Sequence, residues 1–353
     1  MKNNYLLLFI LIFTLRCKKE EHPVLSGFAK AETAIITCEG SFGANNGSLS
    51  FVDGATVTNN IFESANNGLV VGDVVQHYCR VGDKGIIVVN NSQKILIVEA
   101  ETFKLLKTLT SGFEYPRCAV AVDDEHAYVT NGSGAGKVLV VNVSTLEVEK
   151  EITVGKGPEM LLKQDKFVYV CNSGGFNNDD KTVSVIDTET DTEVRKINVG
   201  DVPVDMDFDA TGNLWVLCKG VPDYSNFPNV LRATEAKLVK INTVTQSVAK
   251  EFTVLPVGSI DDLGRLTASK DGNTIFFTSG NGIYAMPISS NSLPLLPIIP
   301  QYFYGIDTDP QTGLLWCTQG NFSSNGYVKR FNSNGVVQDS VKVGIGPSNS
   351  IFN

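Results

Sequence analysis

Short apolar runs recur along the chain, and each is closed by Asn, Ser or Gly. The clearest copies read Ile35-Ile-Thr-Cys-Glu-Gly40, Ile86-Ile-Val-Val-Asn-Asn91, Tyr128-Val-Thr-Asn-Gly132 and Tyr169-Val-Cys-Asn-Ser-Gly174. Weaker copies stand at 214–220, 275–280 and 315–320, so successive starts lie 51, 42, 41, 45, 61 and 40 residues apart. Runs of this length, rich in β-branched and aromatic residues and bounded by turn formers, predict strands. Seven copies at such a period, each with room for several strands, predict an all-β fold, a seven-bladed β-propeller.

Each repeat supplies the remaining strands in order. An apolar run ending in a tight turn precedes the motif, as in Met206-Asp-Phe-Asp-Ala-Thr-Gly-Asn213 and Ile306-Asp-Thr-Asp-Pro-Gln-Thr-Gly313; Asp-x-x-Gly and Pro-x-x-Gly are hairpin turns. An alternating strand follows, as in Val138–Val143 or Val183–Thr188, then a turn and an outer strand such as Glu193–Val199. Four strands per repeat make a blade. Several repeats end in Val-Gly-x-x-Pro, at 154–158, 199–203 and 343–347. The first copy has little room for a strand before Ile35, whereas the tail Val343–Phe352 repeats the start of an inner strand. The C-terminal strand is therefore expected to complete the first blade and close the ring, pairing an edge that would otherwise lie open. Residues 33–353 then form one domain.

Composition narrows the function. The chain is 42% apolar and 19% charged, which is enough to bury a large core. Acidic residues outnumber basic ones 38 to 29, giving a net charge of −9. That balance argues against a general nucleic-acid binder and against docking on anionic lipid by charge. Enzyme motifs are thin. Gly132-Ser-Gly-Ala-Gly-Lys137 lacks the spacing of a phosphate loop and precedes a strand. Asp179-Asp180 beside Asn177-Asn178 lacks the twelve-residue calcium loop and its closing Glu. No C-x-x-C pair occurs among the seven Cys, and there are three His, so no metal centre and no cofactor is expected. Buried thiols are the expectation, although Cys79 and Cys118 stand at matching points of neighbouring repeats and could pair.

The N-terminus reads as an address. Tyr5–Leu15 is apolar apart from Thr14, and Lys2 gives a positive start. The length suits a signal-peptide core, and residues 1–16 are assigned to it. Arg16-Cys17 resembles the end of a bacterial lipoprotein signal, with Arg16 where a small residue is usual. Cys17 is the expected lipidation site, residues 17–32 a neck, and the lipid the sole membrane attachment, because the other apolar run, Leu293–Ile299, is broken by Pro294 and Pro297.

In a propeller the loops from second to third strand, and from outer to next inner strand, share one face. Here those loops are long and aromatic. They contain Phe42, Tyr115, Phe176 with Asn177, Tyr224 with Phe227, Tyr304 and Phe322. Rings among Asn and Gly offer flat apolar area with adaptable hydrogen bonding, suited to a bound ring system or a partner. Arg117 follows Pro116 at an inner-strand start, where it could meet a carboxylate or phosphate in the channel or form an inter-blade ion pair. Glu159 and Asp205 occupy the analogous post-Pro region. His77 opens its own inner strand, as a metal ligand or as a hydrogen-bonded structural residue.

Tyr128-Val-Thr-Asn131, Val183-Ser-Val-Ile-Asp-Thr188 and Val-Gly-x-x-Pro resemble the YVTN, or YncE-like, seven-bladed propellers. Tyr169-Val-Cys-Asn-Ser-Gly174, Tyr304-Gly-Ile-Asp-Thr-Asp-Pro310 and Gly344-Ile-Gly-Pro347 are similar, more narrowly, to the DUF5074-type surface lipoproteins of Bacteroidota, and Cys17-Lys-Lys-Glu-Glu21 looks like their export tag. The resemblance implies a monomeric outer-membrane lipoprotein at the cell surface. It further implies that a small, corrinoid-like molecule such as cobalamin is captured and passed to a TonB-dependent transporter. The expected function is noncatalytic binding on the aromatic loop face. Recognition of a protein or glycan on that face is one alternative, and a hydrolase or lyase with a channel metal is another.

Overall fold

The computed structural model describes residues 27–132, 134–280 and 282–353. The expected signal peptide, Cys17 and the first part of the neck lie outside them.

All seven motif copies form the second strand of a blade. These strands are Ala34–Cys38, Lys84–Val89, His126–Asn131, Phe167–Asn172, Leu214–Cys218, Thr274–Ser279 and Leu315–Asn321. Each pairs antiparallel with an inner strand: Val75–Val81, Pro116–Ala121, Pro158–Gln164, Pro203–Phe208, Leu263–Ala268 and Gly305–Thr308 in blades 2 to 7. Blade 1 takes its inner strand from the C-terminus. Pro347–Phe352 pairs with Ala34–Cys38, and the ring closes as the sequence predicts.

The second strands read as continuous apolar runs because both of their faces are covered. In blade 3, Ala127 and Val129 pack toward blade 2, while Tyr128 packs toward blade 4. Among the described residues, seven apolar clusters lie one between each pair of neighbouring blades. The cluster joining blades 7 and 1 contains Trp316, Val328, Ala34 and Ile36. The core is therefore a ring of interfaces rather than one central mass.

Among the described residues, blade 6 has three strands and each of the other blades has four. Where the outer strand of blade 6 would lie, the chain from Ile288 to Ile299 makes one bridge, Ile283 with Ile299. Pro294 and Pro297 lie in this stretch, and proline cannot donate to a ladder. The two long repeat spacings have separate causes. A short helix, Ile61–Ala65, fills the first and buries Ile61 and Phe62. A two-stranded excursion, Pro222–Asp223 with Leu231–Arg232, fills the second.

The six cysteines at positions 38, 79, 118, 171, 218 and 317 are buried free thiols. The possible Cys79–Cys118 pairing is thereby corrected. Burial pushes each of these two thiols up to about 12, which suppresses thiolate chemistry.

Candidate functional site

Inner strands begin in a recurring way. The residue before the strand has a left-handed backbone at Val74 (φ 61°), Tyr115 (φ 50°), Gly157 (φ 52°), Val202 (φ 59°) and Gly346 (φ 60°). The ladder then slips between Val75 and His77, Pro116 and Ala119, Pro158 and Leu161, Pro203 and Asp205, and Leu263 and Leu266. A bulge re-aims side chains where regular pairing would fix them against a neighbour. Here it turns Gln76, Arg117, Glu159, Val204, Arg265 and Asn349 toward the axis, where they surround a constriction of about 30 Å³.

Above this constriction opens a cavity of about 660 Å³. Phe42, Tyr302, Tyr304 and Phe322 stand on its wall, with Glu39, Gln76, Arg117, Glu159, Lys219, Asp262 and Arg265 among them. Local contacts hold the rings in place. Ser41 Oγ donates to the Phe322 carbonyl, and the Gly43 N–H donates to Asp73 Oδ2 at 2.9 Å. Tyr304 meets Phe322 edge to face at 5.6 Å. Gly346 is required beneath them, because a Cβ there would lie 2.8 Å from the Phe322 ring.

Polar groups in the cavity are largely paired. Arg117 Nε donates to Glu159 Oε2 at 2.7 Å and Nη1 to Gln76 Oε1 at 3.0 Å, so the inter-blade ion pair is the arrangement that forms. Tyr304 Oη donates to Glu39 Oε1 at 3.2 Å. Burial raises Glu39, against the opposing pull of Arg265 and Arg117.

The expected site residues do not all gather in one place. Phe42, Arg117, Glu159, Tyr304 and Phe322 line the axial cavity. Tyr224 lines an adjoining cavity of about 400 Å³ that shares Asn178, Val202, Lys219 and Asp262 with the first. On the rim, Phe176 is 79% exposed and meets Tyr115 edge to face at 5.2 Å, and Asn177 lies in the same short turn. Phe227 is 76% exposed on the excursion loop and lines neither cavity.

His77 and Asp205 lie deeper. His77 faces the constriction, and burial, reinforced by Arg265, pushes its imidazole down to about 4, so it is neutral. Asp205 is buried and accepts from the Leu266 N–H at 2.9 Å, clasping blade 5 to blade 6. Burial pushes Asp205 up to about 6. Among the described residues, no three His, Cys, Asp or Glu side chains converge as a metal site. Gln76, Lys219, Asp262, Arg265 and Tyr302 are cavity residues that the sequence reading passed over. Arg265 had a weak signal, since it stands just inside an inner strand like Arg117, but Gly264 precedes it where Pro116 precedes Arg117.

Asp307 gives a direct test of the channel's electrostatics. Its Oδ2 accepts from the Ser350 N–H at 2.8 Å, and burial pushes the carboxyl up to about 7. A raised carboxyl favours the folded state most fully below its unfolded value near 4, and that contribution is lost as pH rises through about 7. Asp307→Asn keeps an acceptor and removes the charge. Urea unfolding is expected to show the variant more stable than wild type by about 1–2 kcal/mol near pH 8 and no more stable near pH 4. An equal difference at both pH values would contradict this assignment.

The ring and its one decorated mouth define a seven-bladed β-propeller with an axial cavity on the loop face. The chain belongs to the family described as Domain of unknown function (DUF5074), which matches residues 33–343. No curated protein matches it. Among solved structures it is similar to a protein from Lactobacillus plantarum, with a TM-score of 0.66, 13% identity, and coverage of 91% of this chain and 99% of that one. It is also similar to hydrazine synthase from Kuenenia stuttgartiensis, with a TM-score of 0.59, 17% identity, and coverage of 80% and 92%. At these identities the likeness concerns the fold alone.

Proposed function

We propose that this propeller captures a cofactor-sized, ring-bearing ligand without chemistry, and that cobalamin is the specific candidate. The observation that carries this reading is the gathering of Phe42, Tyr302, Tyr304 and Phe322 around one axial cavity of about 660 Å³. Rings of this kind stack on or flank a planar ligand, while Gln76, Asn90 and Asn178 offer both donors and acceptors to a polar periphery. The blades fix the loops in advance, so little ordering entropy opposes binding. In this reading Cys17 carries a lipid that tethers the protein to the outer membrane at the cell surface. The tether raises the local concentration of loaded protein beside a TonB-dependent transporter.

A concave cavity of about 660 Å³ favours a small ligand over the flat apolar face that protein or glycan recognition would use. The channel-metal alternative needs His77 and carboxylates to converge at the mouth, whereas His77 faces the constriction below it.

The test is a calorimetric screen of the purified protein against cyanocobalamin, cobinamide, haem and oligosaccharides. A corrinoid is expected to bind with micromolar or tighter affinity, and the sugars are expected to give no heat. Absence of corrinoid binding at that level would remove cobalamin as the ligand.

A further inference from the structure

Three cations line the axial cavity, and two of them are engaged. Arg117 is paired with Glu159, and Lys219 Nζ lies 3.7 Å from Asp262 Oδ2. Arg265 differs. Among the described residues its guanidinium has neither an ion-pair partner nor a hydrogen-bond acceptor. The surrounding acids act on its charge from a distance, and each accepts a hydrogen bond from another group. Asp205 accepts from Met206 and Leu266, Asp307 from Ser350, and Glu39 from Tyr304 and Gln76.

The backbone beneath Arg265 is fixed. Its N–H donates to Thr278 Oγ1 at 2.8 Å, and a Cβ on Gly264 would lie 2.5 Å from the same oxygen. The side chain lines both the axial cavity and the constriction, so it stands at the floor of the site. In the constriction His77 Nδ1 is also buried and has no partner. A half-buried guanidinium carries five donors in a planar fork, and leaving them unmade inside a protein is costly. Such a fork matches two oxygens of one planar or tetrahedral oxyanion. Burial also pushes the nearby Asp307 carboxyl up to about 7, which reduces the negative charge it sets against an anion there.

We propose that Arg265 forms an oxyanion floor, receiving a carboxylate or phosphate group of the ligand whose rings lie against Tyr302, Tyr304 and Phe322. The inference rests on the capture reading above and specifies the ligand's charge and orientation: anionic end toward the axis, ring toward the mouth.

Benzoate, phenyl phosphate and benzamide serve as probes, read by ligand-observed NMR on the full chain. One or both anions are expected to bind, and their relative strength separates a carboxylate from a phosphate preference. Benzamide, which keeps the ring and loses the charge, is expected to bind at least tenfold more weakly. Arg265→Gln is expected to abolish anion binding, and Arg265→Lys, which keeps the charge but loses the fork, to weaken it. Melting curves without probe establish whether each variant is folded; if Arg265→Gln is not, Arg265→Lys is compared with wild type instead. Equal binding of benzamide and the anions, undiminished binding in the folded variant, or no anion binding to wild type would each overturn the floor. If a corrinoid binds wild type and the anions do not, the floor fails and capture stands. If the anions bind through Arg265 and no corrinoid does, cobalamin fails and the floor stands.

Discussion

Ending the chain after Gly346 abolishes the cooperative unfolding transition. The missing strand, Pro347–Phe352, is the inner strand of blade 1. It covers Ala34, Ile35, Ile36 and Cys38, all fully buried, and it brings Phe352 edge to face with Trp316 at 5.2 Å. It also supplies Ser348 Oγ, 2.9 Å from Thr37 Oγ1 in the interior. Burying one aliphatic side chain is worth about 1.5–3 kcal/mol. A whole domain is stable by only about 5–15 kcal/mol, so the loss consumes most of what is available. The truncation also leaves the inner edge of Ala34–Cys38 unpaired and opens the ring between blades 7 and 1. Circular dichroism in a urea titration reads the outcome. A truncated chain that unfolds cooperatively at the wild-type midpoint would contradict closure by the C-terminal strand.

Asp209→Ala lowers stability by about 3–4 kcal/mol, because it strands the buried Trp215 indole N–H and the half-buried Lys240 ammonium at once. Asp209 Oδ2 accepts from Trp215 Nε1 at 2.9 Å and lies 2.8 Å from Lys240 Nζ. Oδ1 accepts from the Thr211 and Asn213 N–H groups and so shapes the hairpin turn. Burial opposes the charge, but Lys240, Thr211, Trp215 and Asn213 outweigh it and hold the carboxyl at about 2. A depressed carboxyl contributes stability above its unfolded value near 4, and the contribution is lost as pH falls through about 2. The gap between wild type and Asp209→Ala is therefore expected to be full at neutral pH and to shrink in strong acid. Thermal melts near pH 7 and pH 3 measure it, and a gap that widens in acid would refute the assignment.

The parts legible in the sequence are those that packing dictates directly. Each second strand is apolar on both faces because a blade lies on either side, and that need wrote seven recognisable runs into the chain. Asp209 and Asp309 announced their turns for a similarly local reason, since each accepts backbone N–H groups within its own hairpin. The tail was readable because a missing strand at one end matched a surplus one at the other. The aromatic mouth followed once the strand order was known.

The rest depends on geometry that spacing does not encode. The bulges that turn Gln76, Arg117 and Arg265 inward alter pairing without altering hydrophobic pattern, so Arg265 was passed over while Arg117 was found beside its proline. His77 and Asp205 share that post-turn neighbourhood, but the slip places them below the cavity. Phe227 has the same local setting as Tyr224, yet only the fold of the excursion loop decides that Tyr224 lines a cavity and Phe227 lines neither. The third strand of blade 6 has an apolar pattern like its counterparts. Its missing partner follows from the prolines at 294 and 297.

The claim that the loop-face cavity is the ligand site is tested most directly by the affinity of cyanocobalamin for wild type and for the double variant Phe42→Ala/Phe322→Ala, measured by isothermal titration calorimetry. Phe42 is 81% and Phe322 44% exposed, so the variant should melt at close to the wild-type temperature. Loss of two stacking rings predicts an affinity at least tenfold weaker, on the order of 1.4 kcal/mol or more. Unchanged affinity in the folded double variant would place the ligand elsewhere on the molecule.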